Sequence, residues 1–137
     1  MTQVATHDGW PQPYNLPDAQ PYWEGLAAGE IRFQHCQGCK QPVWPAHSFC
    51  PHCEGADIVW QRANGNATLY SFSTIMRGPT PVWQGIAPYT VGFVEMDEGY
   101  YLFAQIDVPD TELKIGARLK AKLVLRGAQQ LPVFVKD

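Results

Sequence analysis

The sequence predicts a mostly β fold: a short N-terminal helix, a ribbon stapled by paired cysteines, and a small five-stranded antiparallel barrel. Three observations predict it. All four cysteines fall into two C-x-x-C pairs, Cys36/Cys39 and Cys50/Cys53. From residue 64 onward, apolar and polar residues alternate in short runs, the period of strands with one buried face. Seven of the twelve prolines precede Cys53, which leaves that half short of long regular elements.

Composition bounds the answer further. A chain of 137 residues has room for one small barrel plus an appendage. Apolar residues make up 45% and charged residues 17%, enough to bury a core. The net charge is -3 before any metal is counted, and four thiolates with a divalent ion would leave it more negative still. Such a surface is a poor generic holder of nucleic acid, which is gripped first by cations. No run of about 18 apolar residues is present to span a membrane. Met1 to Tyr14 lacks the basic start and apolar stretch of a signal peptide. The expected compartment is the cytoplasm, where paired cysteines mean metal or redox chemistry before disulfides.

Four segments follow in order. Residues 1–17 are polar and spaced by Pro11, Pro13 and Pro17. They read as a flexible arm, because this composition buries too little surface to offset ordering entropy. In a second reading the arm folds onto a partner through Trp10 and Tyr14. Residues 18–29 read as a short helix with Asp18 as N-cap, Pro21 in the first turn and Gly29 as the stop. Tyr22 and Trp23 recur with Leu26 and Ala27 four positions on, so the helix has a stripe to dock on its own barrel or on another chain. Residues 30–63 hold the cysteines between two strand-like pieces, Ile31–Gln34 and Ile58–Arg62. Residues 64–137 hold five or six alternating segments and no convincing helix. Among them Tyr89–Met96 and Tyr100–Val108 flank Asp97-Glu98-Gly99, a hairpin signal.

Two residues between cysteines let both sulfurs of one tight turn face the same ion, and two such turns complete a tetrahedron. The ten residues between the pairs are fewer than the usual ribbon gap of about 15–20 but enough for a compact hairpin. Gly38 and Gly55 are expected to permit the turns. Zinc is the expected metal, and a rubredoxin-type iron centre suits the same four sulfurs. Two independent redox dithiols are the other alternative, but neither pair opens a helix after a strand. Four protein ligands leave no open position, so the ion is expected to be structural. In isolated fingers such binding is worth on the order of 10–16 kcal/mol. His35, His47 and His52 lie near the pairs and read as surface or supporting groups rather than ligands.

The barrel segment contains neither cysteine nor histidine, so the commonest acyl nucleophile and the commonest general base are both missing there. Glu95, Asp97, Glu98, Asp107, Asp110 and Glu112 sit mostly at turns, where a solvated role is the default. The segment Arg77–Gly85 is long for a hairpin connection and carries Trp83 near Arg77. It reads either as an interface anchor or as a lid with Trp83 over the barrel end.

With these residues in view the chain resembles the zinc-ribbon plus OB-fold acyl-CoA-associated proteins, the family built on the domain of unknown function thirty-five. The matching stretches are YWEGLAAGEIRFQHCQGCK, WPAHSFCPHCEG, ANGNATLYSFS, APYTVGFVEMDEG and the late turn KIG, together spanning roughly residues 20–137. Lys40 and Glu54 depart from the glycine usual after each cysteine pair, and Ala67 from the glycine that commonly opens the first barrel strand. The resemblance implies a rubredoxin-like zinc ribbon on Cys36, Cys39, Cys50 and Cys53, followed by an OB-fold barrel. It also implies a stable complex with a thiolase-superfamily enzyme, either a thiolase or a lipid-transfer-protein-type aldolase of sterol side-chain breakdown, or with a MaoC-like enoyl-CoA hydratase. The partner would carry the catalytic residues, and this subunit would brace it and help hold the coenzyme A thioester. Trp23, Arg77, Trp83 and Tyr89 are the candidate contacts to partner or CoA. Arg118, Lys120 and Lys122 share a strand face and read as a solvated stripe.

Two other functions are set against this one. An OB-fold reader of single strands would stack bases on Tyr70, Phe72, Phe93 and Tyr101, residues that more simply fill a barrel. A stand-alone hydrolase or redox protein would turn over a thioester without a partner.

Overall fold

The computed structural model describes residues 6, 7, 9–11 and 16–137. The first pairing is minimal: β1 (Thr6–His7) lies antiparallel to β2 (Trp10–Pro11). Where the arm is described, then, it folds back on itself. Tyr14, the other anchor expected in the arm, lies outside the described residues.

A 3-10 turn, Pro17–Ala19, leads into α1 (Gln20–Ala27). The expected cap at Asp18 is corrected. Asp18 belongs to the 3-10 turn, Ala19 takes the N-cap position, and no side chain caps the helix. The rigid ring of Pro21 in the first turn supplies the start instead. Gly29, at φ +91°, stops the helix as expected. The docking stripe is narrower than the spacing suggests: Tyr22, Gly25 and Leu26 are buried, Trp23 is half-buried and Ala27 is exposed. This stripe packs on the ribbon and on the last strand of the barrel.

The ribbon is a three-stranded antiparallel sheet with β3 (Arg32–Cys36) between β4 (Pro42–Val43) and β5 (Ile58–Arg62). Phe33 leaves β3 to stack on Tyr100, with ring centroids 4.8 Å apart. That contact joins the ribbon to the barrel in one apolar core.

The barrel is closed, in the order β10-β8-β7-β6-β9. Its strands are β6 (Asn66–Ile75), β7 (Tyr89–Met96), β8 (Tyr101–Ile106), β9 (Arg118–Arg126) and β10 (Gln129–Lys136). One pairing differs from the antiparallel barrel expected: β10 runs parallel to β8, matching Val133 with Gln105 and Phe134 with Ile106. Topology requires it, because a ring with an odd number of strands cannot alternate direction all the way round. Ala67, Leu69, Val94, Met96, Leu102, Ile106, Leu119 and Phe134 fill the interior. Gly92 permits a close strand crossing, since a Cβ there would lie 2.1 Å from the Ser71 carbonyl oxygen.

Two details depart from the sequence reading of this region. The connection after β6 contains one turn of helix, α2 (Pro81–Gln84), and a 3-10 turn spans Asp110–Glu112. Of the aromatics expected to fill the barrel, Tyr70, Phe93 and Tyr101 stand outside it, and only Phe72 packs against the core. The register of β6 shifts between Leu69 and Ser71, and Tyr70 sits at that irregularity.

Candidate metal centre

Two matching turns build the site. In the first, the Lys40 N–H donates to the Cys36 carbonyl at 2.9 Å, and the Cys36 N–H donates to the Gln41 carbonyl at 2.9 Å. In the second, the Glu54 N–H donates to the Cys50 carbonyl at 2.8 Å, and the Cys50 N–H donates to the Gly55 carbonyl at 2.7 Å. Each turn is completed by a residue in the left-handed region: Lys40 at φ +63° and Glu54 at φ +65°. The turn-permitting role expected of Gly38 and Gly55 therefore falls one or two positions away. Gly55 instead keeps space beside sulfur, whereas a side chain at Gly38 would make an ordinary contact there. A Cβ would lie 3.6 Å from the Cys36 Sγ at Gly38 and 3.3 Å from the Cys53 Sγ at Gly55.

The four sulfurs lie within 4.8 Å of one another. The contacts between turns are 3.7 Å for Cys36–Cys53 and 3.6 Å for Cys39–Cys50. A tetrahedron with Zn–S bonds of about 2.3 Å has S···S edges of about 3.8 Å, so the donor set fits zinc in number, type and spacing. Backbone N–H groups of Cys39 and His52 point at the Cys36 and Cys50 sulfurs, at 3.5 and 3.3 Å. The Cys39 N–H pulls the Cys36 thiol down to about 7, while burial pushes the Cys39 thiol up to about 12. Crowded sulfurs cannot share four negative charges alone, and a divalent cation at their centre removes the conflict. Val43 and Ile58 pack around the buried sulfurs.

The histidines stand apart, as expected. His47 Nδ1 lies 2.6 Å from the Pro45 carbonyl and His52 Nε2 lies 3.2 Å from the Pro42 carbonyl. His35, on β3, is half-buried and its Nδ1 has no partner. The metal-ligand cluster among the described residues contains cysteine sulfurs alone.

Of the other candidate contacts, the fold brings two together. Trp83 on α2 meets Tyr89 on β7 at 5.2 Å, and Trp10 from the arm packs edge-on against Trp83 at 4.9 Å. The Arg126 guanidinium sits 5.0 Å over the Trp10 ring. Tyr89 and Arg126 border a cavity of about 580 Å³ at the barrel mouth. Its polar groups are mostly paired with one another. Lys122 donates to Asp107 at 3.1 Å, Arg126 to Gln105 at 2.8 Å, and the Thr74 hydroxyl to Asp110 at 2.9 Å. Arg77 is exposed and does not border this cavity. Trp23 lies elsewhere, in an apolar groove of about 340 Å³ with Leu16, Tyr22 and Trp44. The sequence reading missed Arg126 and Trp44, because neither carries a local signal and only tertiary packing places them. Arg118 pairs with Asp97 at 2.8 Å, which agrees with a solvated stripe on β9.

Comparison with known proteins places this geometry. The rubredoxin-like zinc ribbon domain of ChsH2 matches residues 23–59, and the C-terminal OB-fold domain of ChsH2 matches residues 60–124. A DUF35 domain-containing scaffold protein of Methanothermobacter thermautotrophicus is 29% identical over 119 residues, which are 85% of this chain and 77% of the relative. A scaffold protein of the same description from Methanocaldococcus jannaschii is 25% identical over 63% of this chain and 62% of its own length. Among solved structures, a chain of the Ltp2-ChsH2(DUF35) aldolase superposes with a TM-score of 0.82 at 26% identity, over 91% of this chain and 98% of that one. A DUF35-family protein of unknown function from Sulfolobus solfataricus superposes at 0.64 and 23% identity, covering 90% of this chain and 88% of its own, and shows the shared fold. With both modules matched in order and the four sulfurs in place, the chain belongs to the DUF35 family of zinc-ribbon and OB-fold proteins.

Proposed function

We propose that this chain is a non-catalytic accessory subunit that assembles with a thiolase-superfamily enzyme acting on acyl-CoA thioesters, either a thiolase or an aldolase. The observation that carries this reading is the gathering of every cysteine into one four-sulfur cage in the ribbon, outside a barrel that has no cysteine or histidine. A four-ligand ion has no open position for substrate, so its work is to fold the ribbon. The cavity at the barrel mouth holds cations, but Lys122 is paired with Asp107, and Arg126 is engaged by the Gln105 amide and the Trp10 ring. In this reading the phosphates of CoA are gripped mainly by the partner, and the thioester passes near the interface between the two subunits. The likeness to a chain of a two-component aldolase supports the kind of partner.

Co-expression tests the proposal. The tagged chain should co-purify with a thiolase-fold polypeptide from the same genome as a stable hetero-oligomer. Acyl-CoA carbon–carbon bond cleavage or formation should require the thiolase-fold subunit and should be absent from the purified, partner-free chain. Thioester turnover by that chain alone would refute the non-catalytic role. Preferential assembly with a MaoC-like hydratase would redirect it to the other partner class.

A further inference from the structure

The outer face of β6, β7 and β8 carries aromatic side chains that the core does not use. Tyr70, Phe93, Tyr101 and Phe103 are 58, 45, 43 and 61% exposed. They form two cross-strand pairs, Tyr70–Tyr101 at 5.0 Å and Phe93–Phe103 at 5.1 Å between ring centroids. Phe93 and Phe103 are direct partners in the β7–β8 register, and Tyr101 is opposite Glu95. Between them Gly92, Val94 and Leu102 point inward and are buried, so the rings are surplus to the barrel. At about 200 Å² per aromatic side chain and roughly half exposure, the four rings present about 400 Å² of apolar surface. That lies within the range of the largest patch on a typical monomer, about 300–600 Å², and is about half of what one side of a standard protein interface buries.

Charge selects the occupant. Among the outward positions of these three strands, Glu95 is the sole charged side chain, with Thr68 and Tyr101 beside it in register. The two cations at its edges, Arg118 at 3.0 Å from Thr68 and Arg126 at 2.8 Å from Gln105, are already engaged by Asp97 and by the Trp10 ring, so the face is a poor holder of a phosphate backbone, which argues against stacked nucleotides. A second copy laid face to face would bring two Glu95 carboxylates into one dry patch, at the cost of like-charge repulsion. The surface that suits the face is apolar and brings a cation to Glu95.

We propose that the aromatic outer face of β6–β7–β8 is the docking surface for the thiolase-fold subunit, with Phe93 and Phe103 as central anchors and Glu95 opposite a basic residue of that subunit. This rests on the accessory-subunit reading above and names the surface it uses. The rim residues Ser71, Ser73, Val91 and Gln105 then supply the polar border expected around such anchors.

The test measures binding of the zinc-loaded full chain to the thiolase-fold subunit by calorimetry, for wild type, Phe93→Ser/Phe103→Ser and Glu95→Lys. Circular dichroism and zinc content control for folding, and the surface charge reversal keeps the test open if the double variant misfolds. The double variant should bind at least about thirtyfold more weakly, the loss expected at aromatic anchors, and Glu95→Lys should also weaken binding. Unchanged affinity in folded variants overturns the docking face while leaving the accessory role standing. A wild-type chain that binds no thiolase-fold subunit removes the accessory role, and this occupant with it. The proposal also falls if ultracentrifugation finds a homodimer that the double variant abolishes while hetero-assembly persists. Low-salt binding of oligo(dT) that the double variant loses would overturn it as well.

Discussion

Lys40 and Glu54 hold the two metal turns in left-handed backbone, at φ +63° and +65°. An L-residue with a Cβ is disfavoured there by roughly 1–2 kcal/mol, whereas glycine adopts it freely. Each turn nonetheless closes on its two backbone hydrogen bonds, and an ion shared by the four sulfurs would fix it further. Lys40→Gly and Glu54→Gly should therefore each stabilise the zinc-loaded chain by about 1 kcal/mol, less any entropy glycine adds to the unfolded chain. Thermal unfolding in a fixed excess of zinc checks this. A fall in Tm for both variants would mean that the lysine and glutamate side chains contribute more than their backbone costs. The sequence reading identified these two positions as departures from glycine, and the structure gives the departure its physical meaning.

Among the elements, the β7–β8 hairpin turn is tied to β9 by charge. Asp97 accepts from the Arg118 guanidinium at 2.8 and 3.1 Å and from the Asn64 side-chain amide at 3.1 Å. The Arg118 hydrogen bonds hold the Asp97 carboxyl below the ordinary carboxylate range. A carboxyl lowered in the folded state contributes stability that is fully present above its unfolded value of about 3.9, and this is lost as pH falls through the folded value. The window thus lies below about pH 4. Denaturation across a pH series should show part of the acid limb for wild type and a flatter limb for Asp97→Asn, with the two curves converging at the acid end. Identical slopes would exclude the pair as a contributor. The pair is solvent-exposed, so high salt should also narrow the difference. The hairpin itself was readable from Asp97-Glu98-Gly99, with Gly99 at φ +99°. Its partner on β9 was not, because Arg118 is 21 positions away and sits in a stripe that reads as plain solvent face.

For the whole molecule, the ribbon and the barrel share one core. Phe33 stacks on Tyr100, and Trp44 lies 4.8 Å from Tyr22 and 5.7 Å from Tyr100. The metal therefore supports more than its own turns. Elemental analysis should find one zinc per chain. Removing it with a strong chelator should lower the Tm of a single cooperative transition, because the barrel loses the aromatic cover at that end. An unchanged thermogram after verified metal loss would show that the barrel folds independently of the cage. Among the described residues, no helix is long and apolar enough to cross a membrane.

The clustering of the four cysteines was legible without coordinates because each pair is local. Two residues between sulfurs constrain both to one turn, and the chemistry of four thiolates leaves little choice of ion class. The strands were legible because their period is two, and the helix stop because Gly29 takes a conformation other residues resist. Which side of each strand faces inward was decided only by tertiary packing. In Tyr89–Met96 and Tyr101–Ile106, apolar residues occupy both alternating sets, so Phe93 competes with Val94 and Phe103 with Leu102 for the interior. Alternation defines two faces without ranking them. Barrel closure ranks them, since Gly92 must sit inward where the backbone of β6 approaches, and alternation then turns its neighbour Phe93 and the register partner Phe103 outward. The parallel β8–β10 seam and the meeting of Trp10, Trp83, Tyr89 and Arg126 arose in the same way, from contacts between segments far apart in the chain.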